Sequence, residues 1–156
     1  MTGSSEPAPA KDPGEVPNTG RLLGLDFGTR RIGVAVSTES QSIASPLENY
    51  TRVNEQLDEV WLREVAQEQR AAGLVVGLPL HMSGDEGGKA REARAFGDWA
   101  GSVTGLPVTF WDERFTTAAA DLALMSTGLS AAKRKSRLDM LSAQIMLQAY
   151  LDAKVQ

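Results

Sequence analysis

Three acidic positions set far apart in the chain carry the chemistry that this sequence can do: Asp26, the pair Asp112-Glu113, and Asp139. Asp26 ends the apolar run Leu22-Leu23-Gly24-Leu25 and is followed by Phe27-Gly28-Thr29, so a carboxylate stands where a glycine lets the chain turn sharply. A carboxylate so placed commonly holds a metal or faces a phosphate. Asp112-Glu113 follows a second apolar strand, and Asp139 lies near the start of a helical run. Oxygen ligands from three distant segments can converge on one hard divalent ion. Each position also has a purely structural reading. A strand-end aspartate before glycine is a turn former. Either Asp112 or Glu113 can cap a helix or accept a bond from Arg114. Ser136-Arg137-Leu138-Asp139 has the spacing of a capping box, although Glu or Gln more usually fills its last position.

Composition narrows the chemistry further. With 156 residues, 42% of them hydrophobic, the chain can hold one core of ordinary size. It has no cysteine, which removes disulfides, thiolate zinc sites and cysteine nucleophiles, and fits a reducing, cytoplasmic setting. A single histidine, His81, excludes multi-histidine metal sites and is expected in a surface loop. Any metal must therefore be a hard, oxygen-liganded one. The net charge of -4 does not advertise a nucleic-acid binder, but its distribution is uneven. From Ser126 onward Lys133, Arg134, Lys135, Arg137 and Lys154 oppose only Asp139 and Asp152, so five positive charges less two negative leave +3.

The elements that would position these groups follow from the apolar pattern. Residues 1–19 hold four of the seven prolines and almost no large apolar side chain, and are expected to form a disordered tail ahead of one domain over 20–156. No basic segment precedes an apolar one as in a secretory leader, and no apolar run approaches membrane-spanning length. The runs around Leu22–Asp26 and Ile32–Ser37 read as a hairpin with Arg30 and Arg31 near its tip. Ser42–Leu47, with Pro46, suits an edge strand. A helix should place Leu57, Val60, Trp61, Val65 and Ala66 on one face and stop at Gly73. Leu74–Pro79 is a continuous apolar run that suits a buried parallel strand. The glycine-rich loop Ser83–Gly88, expected to be mobile, leads to a helix over about 89–103, then a strand at Val108–Trp111. Thr116 or Thr117 caps a helix to about 127, and a last helix covers about 137–153. Trp61, Trp99 and Trp111 fall on element faces where core packing is their expected role. The order predicts an α/β mixed sheet, a three-strand meander beside two parallel strands, flanked by helices.

Four segments taken together resemble the YqgF family, also called RuvX. They are Gly24-Leu25-Asp26-Phe27-Gly28-Thr29-Arg30-Arg31-Ile32-Gly33, Val76-Gly77-Leu78-Pro79 with Met82-Ser83-Gly84, Asp112-Glu113-Arg114-Phe115-Thr116-Thr117, and Asp139 with Ala143-Gln144-Ile145-Met146-Leu147-Gln148. The family is described as Holliday junction resolvases and as the nuclease that matures the 5′ end of pre-16S ribosomal RNA. The resemblance spans essentially everything from Arg21 on, and implies a ribonuclease H-like fold and a hydrolase that cuts phosphodiester bonds, as an endo- or exonuclease. It implies that Asp26, Glu113 and Asp139 are the catalytic metal ligands, with Glu113 favoured over Asp112, and that Mg²⁺ or Mn²⁺ is the cofactor. Two ions held by carboxylates suit an in-line displacement at phosphorus.

The implied partner is nucleic acid, structured RNA or branched DNA, bound by a monomer or a homodimer. Arg30, Arg31 and Arg114, with Lys133, Arg134, Lys135 and Arg137, are the candidate phosphate-binding residues. Other classes compete with this reading. The run Leu25–Thr29 before a strand also resembles the first phosphate loop of actin-like and sugar-kinase ATPases, which close two domains around a nucleotide where this chain has room for one. A catalytically silent nucleic-acid-binding domain is the third class, for which a missing carboxylate would be evidence; all three are present.

Overall fold

The computed structural model describes residues 16–81, 83–113 and 131–155, the side chains of residues 131–140 and 155 excepted. Five strands form one sheet: β1 (Arg21–Phe27), β2 (Arg31–Ser37), β3 (Ala44–Thr51), β4 (Ala71–Leu78) and β5 (Val108–Asp112). Their order is β3-β2-β1-β4-β5. β1, β2 and β3 pair antiparallel as a meander, and β4 and β5 run parallel to β1. The helices are α1 (Glu55–Glu68), α2 (Gly88–Thr104) and α3 (Ala131–Val155). This is the mixed sheet that the sequence predicts.

The sheet is apolar on both sides because helices cover both. Toward α1 and α2 it presents Leu23, Leu25, Ile32, Val34, Leu74 and Val76, which pack with Leu62, Phe96 and Ala100. Toward α3 it presents Leu22, Ala35 and Val75, which meet Ala143, Met146, Leu147 and Leu151. On β1 the alternation is strict: Leu23, Leu25 and Phe27 belong to the first side, and Leu22 and Gly24 to the second. Gly24 lets α3 lie directly on the strand, since a Cβ there would stand 2.9 Å from Leu147 Cβ.

Several expectations shift. The buried face of α1 is Asp58, Leu62, Val65 and Ala66, whereas Leu57 and Val60 are 51% and 47% exposed. Asp58 turns inward because it has partners there: it accepts from Tyr50 Oη (2.7 Å) and Val53 N (2.9 Å), and pairs with Arg52 (3.5 Å). The helix ends at Glu68, and Arg70 takes a left-handed turn (φ 52°). Gly73 therefore does not stop it; it lies within β4, where a Cβ would stand 2.8 Å from Val16 Cγ1.

Pro46 is on β3 beside a register shift, as an edge strand tolerates. α3 already runs from Ala131, so Ser136–Asp139 lies inside a helix and is not a capping box at its start. The basic run 133–137 is accordingly part of α3 and does not precede it. In the glycine-rich loop, Glu86 is tied to Arg94 of α2 at 2.6–2.7 Å. Of the expected tail, residues 1–15 lie outside the described residues, while Val16 is 5% exposed and packs with Leu22. The helix expected from Thr116 or Thr117 to 127 also lies outside them. No helix among the described residues is long and apolar enough to cross a membrane.

Candidate active site

Asp26 and Glu113 come together at the C-terminal end of the parallel strands. Asp26 is the penultimate residue of β1, the middle strand, held on one side opposite Gly33 of β2. Glu113 follows β5 directly, and its N–H donates to Leu78 O (3.1 Å), so the ladder to β4 continues one residue past the strand and fixes its direction. Strand parity sends the two acids of the pair to opposite sides of the sheet. Val108 and Phe110 pack toward α1 and α2 and Trp111 toward α3, so Asp112 falls on the former side and Glu113 on the latter, with Asp26.

β4 separates the strands that carry the two carboxylates, and Gly77 opens the way across it. A Cβ at Gly77 would stand 2.4 Å from Glu113 Cδ and 2.6 and 2.7 Å from its carboxyl oxygens. No side chain could share that space. The glutamate thus lies over the backbone of β4 and makes a hydrogen bond with Asp26. It is only 9% exposed. Burial, then the negative charge of Asp26, the hydrogen bond to it and the charge of Asp112 push the Glu113 carboxyl up to about 9. Two carboxyl groups held so close keep a proton between them or take up a cation in its place.

The remaining candidates are placed less completely. Asp139 is on α3, four residues before Ala143 and eight before Leu147. Leu147 and Ala143 contact β1 at Gly24, and Leu151 packs in the cluster with Leu22, so α3 runs antiparallel to β1. Four further residues of helix advance about 6 Å, close to the roughly 6.6 Å from Gly24 to Asp26 along a strand. Residue 139 is the next position of that helix stripe, toward the Asp26 end of β1, and its side chain lies outside the described residues. So do Arg114 and the side chains of Lys133, Arg134, Lys135 and Arg137.

The hairpin arginines part company. Arg31 begins β2 and by the pleat shares the side of Gly33 and Ala35, which is the carboxylate side. Arg30 is exposed and lines a cleft on the other side of the sheet end. His81 is exposed in a loop, as expected. The tryptophans pack as expected: Trp61 stacks on Tyr50 at 3.8 Å, Trp99 tilts against Phe96 and Trp111 meets Tyr150 edge-on. Among the described residues no three of His, Cys, Asp or Glu gather into one cluster.

Gly77 is the site residue that sequence reading missed as such. Its signal is present: an isolated glycine within the apolar run Leu74–Leu78 marks a close approach of another group.

The comparison with known proteins agrees with this architecture. The family model described as RuvX, Holliday junction resolvase, matches residues 20–153. A protein of Rhodopirellula baltica named "Putative pre-16S rRNA nuclease" is 41% identical over 137 residues, covering 88% of this chain and 79% of its own. One of the same name from Rhodobacter capsulatus is 43% identical over 137 residues, covering 88% and 86%. Among solved structures, T. thermophilus RuvC in complex with a Holliday junction substrate superposes with a TM-score of 0.54 at 18% identity, covering 87% of this chain and 96% of that one. The fowlpox virus resolvase in complex with Holliday junction DNA reaches 0.50 at 11% identity, covering 87% and 99%. At these identities the structural likeness concerns the fold, which is the ribonuclease H-like one. The matched span takes in both carboxylate-bearing strands, Gly77 and the stripe of α3, and on this ground the chain belongs to the RuvX family.

Proposed function

We propose that this protein is a divalent-metal-dependent nuclease that hydrolyses phosphodiester bonds in the 5′-end maturation of pre-16S rRNA. The observation that carries the reading is the buried pair of Asp26 and Glu113, meeting across Gly77 in a chain whose relatives bear that name. Asp26, Glu113 and Asp139 are the proposed catalytic residues and the ligands of Mg²⁺ or Mn²⁺.

The residues fit such an ion. The donors are all carboxylate oxygens, which suit a hard cation. The pair also holds negative charge that needs compensation, as the raised Glu113 carboxyl attests. Bound there, a divalent cation lowers the pKa of water and offsets charge that develops on the leaving oxygen.

The rest is the work of the chain. Asp26, on the rigid central strand, would fix the position of the cation that the reacting phosphate faces. Glu113, raised by burial, holds or releases a proton within reach of Asp26. Arg31 stands on the carboxylate side to face a substrate phosphate, and Lys133, Arg134, Lys135 and Arg137 of α3, with Arg114, supply the further phosphate contacts. The cytoplasm is the proposed compartment.

The family description favours a second reading, a resolvase of four-way DNA junctions, through the same carboxylates. The experiment compares purified protein on a labelled precursor rRNA fragment and on a labelled four-way junction, with Mg²⁺ and with EDTA. Mg²⁺-dependent trimming of the RNA with the junction left intact supports the first reading; the reverse supports the second. Cleavage of neither, or cleavage that persists in EDTA, contradicts the metal-dependent nuclease.

A further inference from the structure

A cleft of about 770 Å³ opens at the same end of the sheet as the carboxylates but on the side of α1 and α2. One part of its lining is aromatic, Phe27 and Trp99 over the buried Phe96, and the rest is largely polar. Phe27 stacks on Phe96 at 4.8 Å, and Trp99 tilts against Phe96 at 5.7 Å. Two guanidinium groups line its mouth: that of Arg52, 5.2 Å from the centre of the Phe27 ring, and that of Arg30 on the β1–β2 turn. Phe27 is the residue after Asp26, so the pleat sends the two side chains to opposite sides of one strand end. Among the described residues, the turn at Gly28-Thr29-Arg30 lies between the cleft and the carboxylates.

We infer that this cleft takes an unpaired nucleobase of the strand whose phosphate lies at Asp26 and Glu113, the strand crossing the sheet end over the turn at Arg30. The inference rests on the nuclease reading and names what that site recognises: a base freed from pairing beside the cut.

The chemistry of the lining argues for a base and against a buried phosphate. The half-buried Trp99 ring and the exposed guanidinium planes of Arg52 and Arg30 offer stacking surfaces, which any base can use. The volume lies within the roughly 300–1,000 Å³ typical of small-molecule sites. The acids of the cleft are of two kinds. Asp58 is already engaged by Tyr50, Val53 and Arg52, whereas Glu55 and Glu92 are exposed carboxylates. Those two repel a phosphate and can accept a hydrogen bond from an amino group on a base. The strand's phosphates are left to the rim, where Arg30 stands on the cleft side and Arg31 on the carboxylate side. A paired duplex cannot use the cleft, because its bases are already stacked on each other.

The test is an abasic scan. Short labelled RNA strands, each lacking one base, are bound to Asp26→Asn protein, which is expected to leave them intact, and to the same protein carrying Trp99→Leu. One abasic position should weaken binding of the first protein roughly tenfold and leave the second nearly unchanged, since stacking of one base is lost only once. A fully paired duplex should bind both proteins alike. Arg30→Gln, exposed and outside the core, guards against a folding effect of the tryptophan change. It should weaken the intact strand and lower the slope of log K against log salt by about 0.7. If no abasic position separates the two proteins, or if Trp99→Leu weakens duplex and single strand equally, the cleft is not a base site. Failure of the nuclease reading has a different signature: the wild-type protein then cuts no strand in Mg²⁺, whatever the abasic scan gives.

Discussion

Gly77 leaves the space that the Glu113 carboxyl fills, for a Cβ on Gly77 would stand 2.4 Å from Glu113 Cδ. The atoms in the way are the far end of a flexible side chain, so an added methyl can push them aside without breaking the sheet. Gly77→Ala should therefore fold with a melting temperature near that of the wild type and lose at least about a hundredfold in cleavage rate, the range expected when a catalytic group is displaced. Cleavage kinetics beside a thermal melt checks this. A variant that cuts at the wild-type rate would show that Glu113 need not lie over β4.

The same contact predicts a pH dependence of stability. Glu113 is pushed up to about 9 from an ordinary value of 4.5, so between those limits the folded chain holds a proton that the unfolded chain has released. Stability from this group is greatest below pH 4.5 and falls as pH rises to about 9, with a slope of at most about 1.4 kcal/mol per pH unit. Denaturant unfolding in EDTA should show that fall, and Glu113→Gln, which cannot ionise, should flatten it. If Mg²⁺ binds the pair as proposed, saturating Mg²⁺ should flatten it too, since the cation would take the place of the proton. Equal slopes for wild type and Glu113→Gln would contradict the buried pair.

The basic run of α3 should act on binding and hardly on folding. If Lys133, Arg134 and Lys135 each contact a phosphate, replacing all three by Gln should reduce the slope of log K against log salt by about 0.7–0.9 per contact. The loss should be alike for unrelated sequences, because phosphate contacts carry no base information. An unchanged slope would leave the substrate path to Arg30, Arg31 and Arg114.

Asp58 gives a stability prediction away from the carboxylates. It is 3% exposed and serves Tyr50, Val53 and Arg52 at once. Asp58→Ala leaves the part-buried Tyr50 hydroxyl and Val53 N–H without their acceptor and should cost about 1–2 kcal/mol. Burial, then the bond to Asp58, also pushes the Tyr50 hydroxyl up to about 12. An absorbance titration should find the Tyr50 phenolate forming earlier in the variant, and an unshifted titration would count against the bond.

The contrast between what could and could not be read in the sequence has a physical basis. β1 and β4 are legible because strands covered on both sides read as unbroken apolar runs. Asp26 is legible because it ends such a run. The face of α1 was misplaced because periodicity treats Asp58 as polar and outward, whereas three partners from β3 and the segment after it draw it in. Gly73 and Gly77 are one residue type in one strand with different neighbours, Val16 for the first and Glu113 for the second. Neither was read as a contact, because pairing of distant segments decides what a missing Cβ makes room for. The choice between Asp112 and Glu113 likewise needs the parity of β5, which spacing alone does not fix.

The most direct test of the central claim is the rate at which Asp26→Asn protein cuts the labelled precursor RNA at the Mg²⁺ concentration that saturates the wild type. The exchange replaces one carboxylate oxygen of the proposed metal ligand by an amide nitrogen with almost no change of size, and the fold should survive it, as far-ultraviolet circular dichroism and a thermal melt will show. The account predicts that cleavage falls to background in a protein that remains folded. Wild-type cleavage by folded Asp26→Asn protein at matched Mg²⁺ would contradict it.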